Sequence, residues 1–298
     1  MYAIETSALS KKYGGSYAVR DLNIHVPNGA IYGFIGENGS GKSTTEKLIS
    51  GLINPTSGKI RLYGKSHTQN NVRETLGVLI ETPGCFPDHT VFDNLMMQAI
   101  NIGISNPKAE VERVLKLVHM VGAARNKFKH CSLGMKQRIG LAQALMGHPK
   151  LLILDEPING LDADGVRIVR ETLLKINREE GVTILISSHI LGELEKIATH
   201  YGIIRKGTLI QEMTAKELKE LCPDFVVTNT DDNEKAKDLL SRFYKRIEAA
   251  ENGIRIYDAH DTAEISVLLY KNGVRVSKLG TEHIGLEEYY TRAVKEVG

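Results

Sequence analysis

Cysteine is scarce in this sequence: Cys85, Cys131 and Cys222 are the only three in 298 residues. An odd count at wide spacing argues against both a disulfide framework and a zinc site. An excess of one charge is missing too, since 38 Lys and Arg against 36 Asp and Glu leave a net +2. A dedicated nucleic-acid binder carries a clear basic surplus, so no nucleic-acid partner is expected. With 42% of residues hydrophobic and little net charge, the composition is not that of a disordered chain. No apolar run approaches the roughly 20 residues of a membrane helix. The longest candidates, such as Leu151 to Leu154, have the size of a buried strand. The opening residues Met1 to Glu5 lack the charged and apolar regions of a secretory signal. Internal repeats, low-complexity tracts and long charged linkers are also missing. What these absences leave is a soluble protein of a reducing compartment, long enough for about two domains with buried cores.

The chain divides near residue 215. Before that point lie most of the glycine-rich loops and the strand-like runs Ala30 to Ile35, Leu76 to Ile80, Leu151 to Leu154 and Thr183 to Ser187. Several are apolar throughout, as strands of a parallel sheet covered on both faces would be. Val91 to Met146 reads mostly helical and forms an insertion, a helical subdomain at about 85–148. The pattern therefore predicts an α/β domain over 1–215 with a central, mostly parallel sheet. Residues 216–298 alternate differently. Strands are expected at Phe225 to Thr228, Ile254 to Tyr257 and Val274 to Leu279, and helices at Asn233 to Ala250 and Leu286 to Lys295. Asp261 with Glu264 three residues later resembles a helix N-cap box, and Asn272-Gly273 closes that helix. This is a small α+β domain.

Gly36-Glu37-Asn38-Gly39-Ser40-Gly41-Lys42-Ser43-Thr44 matches G-x-x-x-x-G-K-[ST] in full, between a strand-like run and a helical one. The pattern predicts a P-loop nucleotide site. Its glycines let backbone N–H groups converge on phosphate oxygens, and the helix N-terminus and Lys42 supply positive charge. Ser43 is placed to ligate Mg²⁺. Leu151 to Leu154 deliver Asp155 and Glu156 at a strand's C-terminal end, where ligands bind in open α/β sheets. Asp155 is expected to hold the Mg²⁺ shell, and Glu156 to orient or deprotonate an attacking water. His189, just past the run ending at Ser187, can donate to a γ-phosphate oxygen. Ser132 and Gly134, at the start of the helix before Leu151, form a second anion site. One chain has no second phosphate group for it to meet, so a dimer is implied.

This set resembles the ATP-binding subunits of ABC transporters over about residues 1–215. Gly36 to Thr44 resembles the Walker A motif and Leu151 to Glu156 the Walker B motif. Asn159 to Asp162 resembles the D-loop and His189 the switch histidine, while Tyr13 is similar to the aromatic that stacks on adenine. The resemblance implies ATP and Mg²⁺ as cofactors, ATP hydrolysis coupled to transport, and head-to-tail pairing with a second ATP-binding subunit. It further implies a separate integral membrane permease and a cytoplasmic location, peripheral on the inner face of the cell membrane.

Two positions depart from the family pattern. Where the signature reads L-S-G-G-Q, this chain has Cys131-Ser132-Leu133-Gly134-Met135. Leu133 restricts the backbone where glycine is permissive. Glu81 stands where a glutamine is usual, as a stronger Mg²⁺ ligand that also repels the γ-phosphate. Slow or partner-dependent hydrolysis is the expectation. Ile80 to Gly84 and Ser132 to Arg138 are similar to the bacitracin-resistance and lantibiotic-immunity ATPases, which implies export of peptide antibiotics. In related ATPases tails such as 216–298 are regulatory or dimer-stabilising. A soluble ABC ATPase attached to no permease, and a nucleotide-binding regulator with little turnover, are the competing readings.

Overall fold

The computed structural model describes residues 1–69, 74–222, 224–250, 253–257, 259 and 261–296. The chain forms two compact units, Met1–Ala215 and Lys216–Gly298.

In the first unit the apolar runs do become buried strands. β4 (Ile31–Ile35), β8 (Leu151–Asp155) and β9 (Thr183–Ser187) are buried at every position. With both faces covered, such strands need no alternation of apolar and polar residues. They join β7 (Leu76–Leu79), β10 (His200–Arg205) and β11 (Thr208–Thr214) in a six-stranded sheet of order β11-β10-β4-β9-β8-β7. All its pairs are parallel except β10 with β11. A second, antiparallel sheet is built from β1 (Tyr2–Tyr13), β2 (Ser16–Leu22), β3 (His25–Pro27), β5 (Ser57–Leu62) and β6 (Lys65–Ser66). Ile4, Leu9, Val26 and Leu62 from this sheet share one core with Tyr32, Phe34, Ile153 and Leu185 from the other. Glu212 on β11 ties the layers with hydrogen bonds, accepting from the Tyr32 hydroxyl at 2.7 Å and the His25 backbone N–H at 2.8 Å.

Helix α1 (Lys42–Ile49) follows β4. The insertion predicted as largely helical from Val91 to Met146 resolves into three helices, α2 (Val91–Asn101), α3 (Pro107–Leu117) and α4 (Leu133–Ala144). Each begins where its sequence offers a cap: Thr90 with Asp93 in a reciprocal box, Asn106 before Pro107, and Ser132. Helices α5 (Ala163–Glu180) and α6 (Leu191–Glu195) flank β9.

Helix α4 lies so close to β7 that Gly77 has no room for a side chain. An added Cβ would stand 1.9 Å from the Ala144 carbonyl oxygen and 2.6 Å from Leu152 Cδ2. Backbone cannot yield as a flexible side chain does, so Gly77→Ala is expected to cost about 3 kcal/mol. The first unit's melting transition should fall by roughly 10 °C. Gly84→Ala, whose Cβ would meet nothing within 4 Å, should leave it unchanged. Calorimetry on the three proteins checks this, and equal transitions would refute the tight approach.

A short helix, α7 (Ala215–Leu221), spans the boundary between the units. The second unit has β12 (Asp224–Thr230), α8 (Asn233–Leu240), β13 (Ile247–Ala250), β14 (Gly253–Ile256), α9 (Thr262–Lys271), β15 (Val276–His283) and α10 (Leu286–Glu296). Its antiparallel sheet runs β13-β14-β12-β15. Val226, Ile254 and Ile256 on the sheet pack against Ala236 and Leu240 of α8 and Ile265 and Leu269 of α9. One expectation fails here. The helix predicted from Asn233 to Ala250 stops at Leu240, and Ile247–Ala250 pair with Gly253–Ile256 as a hairpin. Asp261 does cap α9, accepting from the N–H groups of Ala263 and Glu264.

Candidate active site

The loop from Gly36 to Gly41 joins β4 to α1 at the C-terminal edge of the parallel sheet. Two of its glycines are sterically required. At Gly36 a Cβ would lie 2.4 Å from Ser40 Oγ and 2.5 Å from the Ile204 carbonyl oxygen. At Gly41 the backbone takes φ 111°, and a Cβ would reach 2.6 Å from the Ala18 carbonyl oxygen. Gly41 also leaves α1 with no side-chain cap, and the helix's first turn has no acidic residue. The positive end of the helix dipole is therefore free to meet an anion. Lys42 is buried, and its Nζ donates to the carbonyls of Gly36 at 2.6 Å and Glu37 at 3.2 Å. It braces the loop from inside. Ser40 is buried with its hydroxyl unpartnered, and Ser43 is half-buried in the first turn.

The acidic side of the site comes from β8. Asp155 is buried, and Ser187 Oγ on the adjacent strand donates to its Oδ1 at 2.8 Å. Glu156 follows in a left-handed conformation, φ 49°, rare for a residue with a side chain. Its N–H is held by Ser187, and its carbonyl accepts from Gln137 Nε2 of α4 at 3.0 Å. Its carboxylate accepts from the His189 backbone N–H at 3.2 Å and lies 2.7 Å from His189 Nδ1. Glu46, fully buried on α1, is a further acid beside Asp155. Burial first, and the Asp155 charge next, hold its carboxyl well above the usual carboxylate range.

The structure thus groups Gly36 to Thr44, Asp155, Glu156, His189 and Glu81 along one sheet edge. Glu81 follows β7 with φ 63°, and its Oε1 lies 2.5 Å from Lys47 Nζ of α1. Tyr13, at the end of β1, is half exposed with the Lys11 ammonium 5.1 Å from its ring centre. Ser132 and Gly134 stand apart. Among the described residues no hydrogen bond links them to the loop, and Ser132 Oγ caps its own helix by accepting from the Met135 N–H at 3.2 Å. Its hydroxyl proton remains available to donate. Leu133 occupies the first helical position of α4, a conformation any L residue adopts, and packs on Gly160. Its own backbone therefore meets no restriction at this position. Asp162 caps α5 through the Gly165 N–H at 2.8 Å. Sequence patterns assigned no role to Ser187, Gln137, Glu46 or Lys47. Spacing carries no signal for them, because each acts on a residue brought near only by the fold.

The donor set fits a magnesium nucleotide. Ser43 offers a hydroxyl and Asp155 a carboxylate, both hard oxygen donors. Among the described residues no three His, Cys, Asp or Glu side chains cluster as a metal cage. Mg²⁺ suits such a site, since it keeps several waters and takes other ligands from substrate phosphates.

Residues 19–159 match the family described as ABC transporter. The bacitracin transport ATP-binding protein BcrA of Enterococcus faecalis is 38% identical, over 98% of this chain and 96% of its own. The lantibiotic transport ATP-binding protein SrtF of Streptococcus pyogenes is 40% identical over 68% of this chain and 87% of its own. A solved structure of an ATP binding subunit of an ABC transporter superposes with TM-score 0.66 at 29% identity, over 74% of this chain and 92% of that one. With the nucleotide loop, the two acids and the histidine on one sheet edge, these likenesses lead to one conclusion: the chain belongs to the ABC transporter ATP-binding proteins and is an ATPase.

Proposed function

We propose that this chain is one of two identical ATP-binding subunits that power the export of peptide antibiotics through a separate membrane permease. The observation that carries this reading is the likeness to the bacitracin transport protein, which runs through the second unit as well as the first. In this reading the loop from Gly36 to Thr44 binds the phosphates and Tyr13 stacks on the base. Ser43 and Asp155 hold Mg²⁺, with Glu81 beside it. The ion, when bound, offsets charge on the phosphate oxygens. Glu156 takes a proton from the attacking water, and His189 positions that carboxylate through the bond at 2.7 Å. Ser132 and Gly134 serve the nucleotide held by the partner.

No described helix is long and apolar enough to cross a membrane. In this reading the permease supplies the membrane spans. Three residues beyond Glu81 the chain enters a groove of about 450 Å³, lined by Gly84, Phe86, Met97, Gln98, Ile102 and Gln143. Phe86 is 60% exposed there and Ile102 49%. A large apolar side chain left in water at a groove mouth suits a partner's helix. Phe86→Glu is expected to release the chain from membranes that contain its permease while leaving ATP affinity unchanged. Fractionation with and without the co-expressed permease, together with nucleotide titration, checks this. Membrane association independent of the permease, or none with any permease encoded beside it, would favour the soluble ATPase instead.

A further inference from the structure

We infer that Lys47 is a positioning residue for Glu81, offsetting a carboxylate that would otherwise stand uncompensated at the nucleotide site. The inference rests on the proposal that Glu81 adjoins the bound nucleotide. A triphosphate is strongly anionic, and an uncompensated carboxylate beside it would repel it. The geometry supplies the compensation. Lys47 lies on α1, the helix whose N-terminus forms the phosphate loop, five residues beyond Lys42. Its Nζ meets Glu81 Oε1 at 2.5 Å.

The pair is not a stabilising device. The Glu81 side chain is 65% exposed, and exposed ion pairs contribute little to folding. Its effect is on direction and charge. Glu81 is fixed by a left-handed backbone at φ 63°, at the end of β7, and Glu156 is held likewise at φ 49° at the end of the neighbouring β8. Two acids thus project from adjacent strand ends at one site; Glu81 meets Lys47, whereas Glu156 meets His189. Lys47 turns that carboxylate toward α1 and cancels its charge. Once nucleotide and a second copy cover the site, screening by water falls and the compensation counts for more.

Four proteins test this: the parent, Lys47→Met, Glu81→Gln and the double variant. Binding of a fluorescent ATP analogue with Mg²⁺ is measured alongside kcat and KM. Lys47→Met should weaken nucleotide binding and raise KM by about 10-fold, since it bares the carboxylate. Glu81→Gln removes the carboxylate itself and sets the reference level, whatever its own kcat, and the double variant should match it rather than Lys47→Met. Rescue by removing the carboxylate is a result that a merely structural lysine, or one binding phosphate directly, would not give. Lys47→Arg keeps the charge and should match the parent, which guards against misfolding of Lys47→Met. The inference is overturned if Lys47→Met binds as the parent does, or if its loss persists in the double variant. A parent protein that fails to bind magnesium nucleotide would instead overturn the reading of the site on which the inference rests, and the inference with it.

Discussion

Lys42→Ala is expected to abolish useful ATP binding. Lys42 is 6% exposed, and its ammonium sits within the loop, bonded to the carbonyls of Gly36 and Glu37. It is therefore already in place when phosphate arrives, and little side-chain entropy is lost on binding. One unit charge about 4 Å from a phosphate oxygen, at an effective dielectric near 20, is worth about 4 kcal/mol. That corresponds to roughly a thousand-fold in affinity. Alanine also removes the brace between Gly36 and the helix, so the loop loses order as well as charge. Two measurements check the expectation. Titration with a labelled nucleotide should show saturation for the parent and none for the variant at millimolar ATP. Saturating ATP should raise the parent's first melting transition, since ligand at 100 times Kd adds about 2.7 kcal/mol, and should leave the variant's unmoved. Affinity within a few-fold of the parent would refute the assignment of the phosphate loop.

How much of this site is legible in the sequence depends on whether the chemistry is local. The phosphate loop is local: strand, glycines, lysine and helix follow one another, and the steric demands at Gly36 and Gly41 justify its glycines. Asp155 and Glu156 are legible because an apolar run of four residues leads into them, Asp155 closing β8 and Glu156 following it. The partnerships are not local. Ser187 reaches Asp155, and Gln137 reaches the Glu156 carbonyl, only once β8, β9 and α4 are packed. Glu46 reads as a polar residue in an ordinary helix, yet the fold buries it fully. Lys47 meets Glu81 across a gap of 34 residues, so no spacing rule finds the pair. The missed strand Ile247–Ala250 has the same cause at the level of secondary structure. Two alanines and a glutamate favour helix locally, but pairing with Gly253–Ile256 prevails, as strand preference is set largely by neighbours.

Glu156→Gln is expected to retain ATP binding, to lower kcat by about a thousand-fold, and to hold two chains together in ATP. The substitution is nearly isosteric, and the left-handed backbone at φ 49° suits glutamine as poorly or as well as glutamate. The amide oxygen can still accept the His189 backbone N–H that Glu156 now takes at 3.2 Å. What disappears is the group able to take a proton from water, a contribution typically of 10²–10⁴-fold. The trapped dimer follows from where Ser132 sits. Its hydroxyl caps α4 and makes no hydrogen bond to the loop of its own chain among the described residues. In the proposed pairing Ser132 meets the phosphate held by a second copy, and ATP that is never hydrolysed keeps that contact in place. Light scattering at saturating Mg-ATP should give twice the monomer mass for Glu156→Gln, and monomer after the nucleotide is removed. Adding Ser132→Arg, which sets a bulky cation at the helix start, should return the variant to monomer while ATP still binds. A Glu156→Gln protein that stays monomeric in saturating ATP would count against the paired site, and one that turns over at the parent's rate would count against Glu156 as the base.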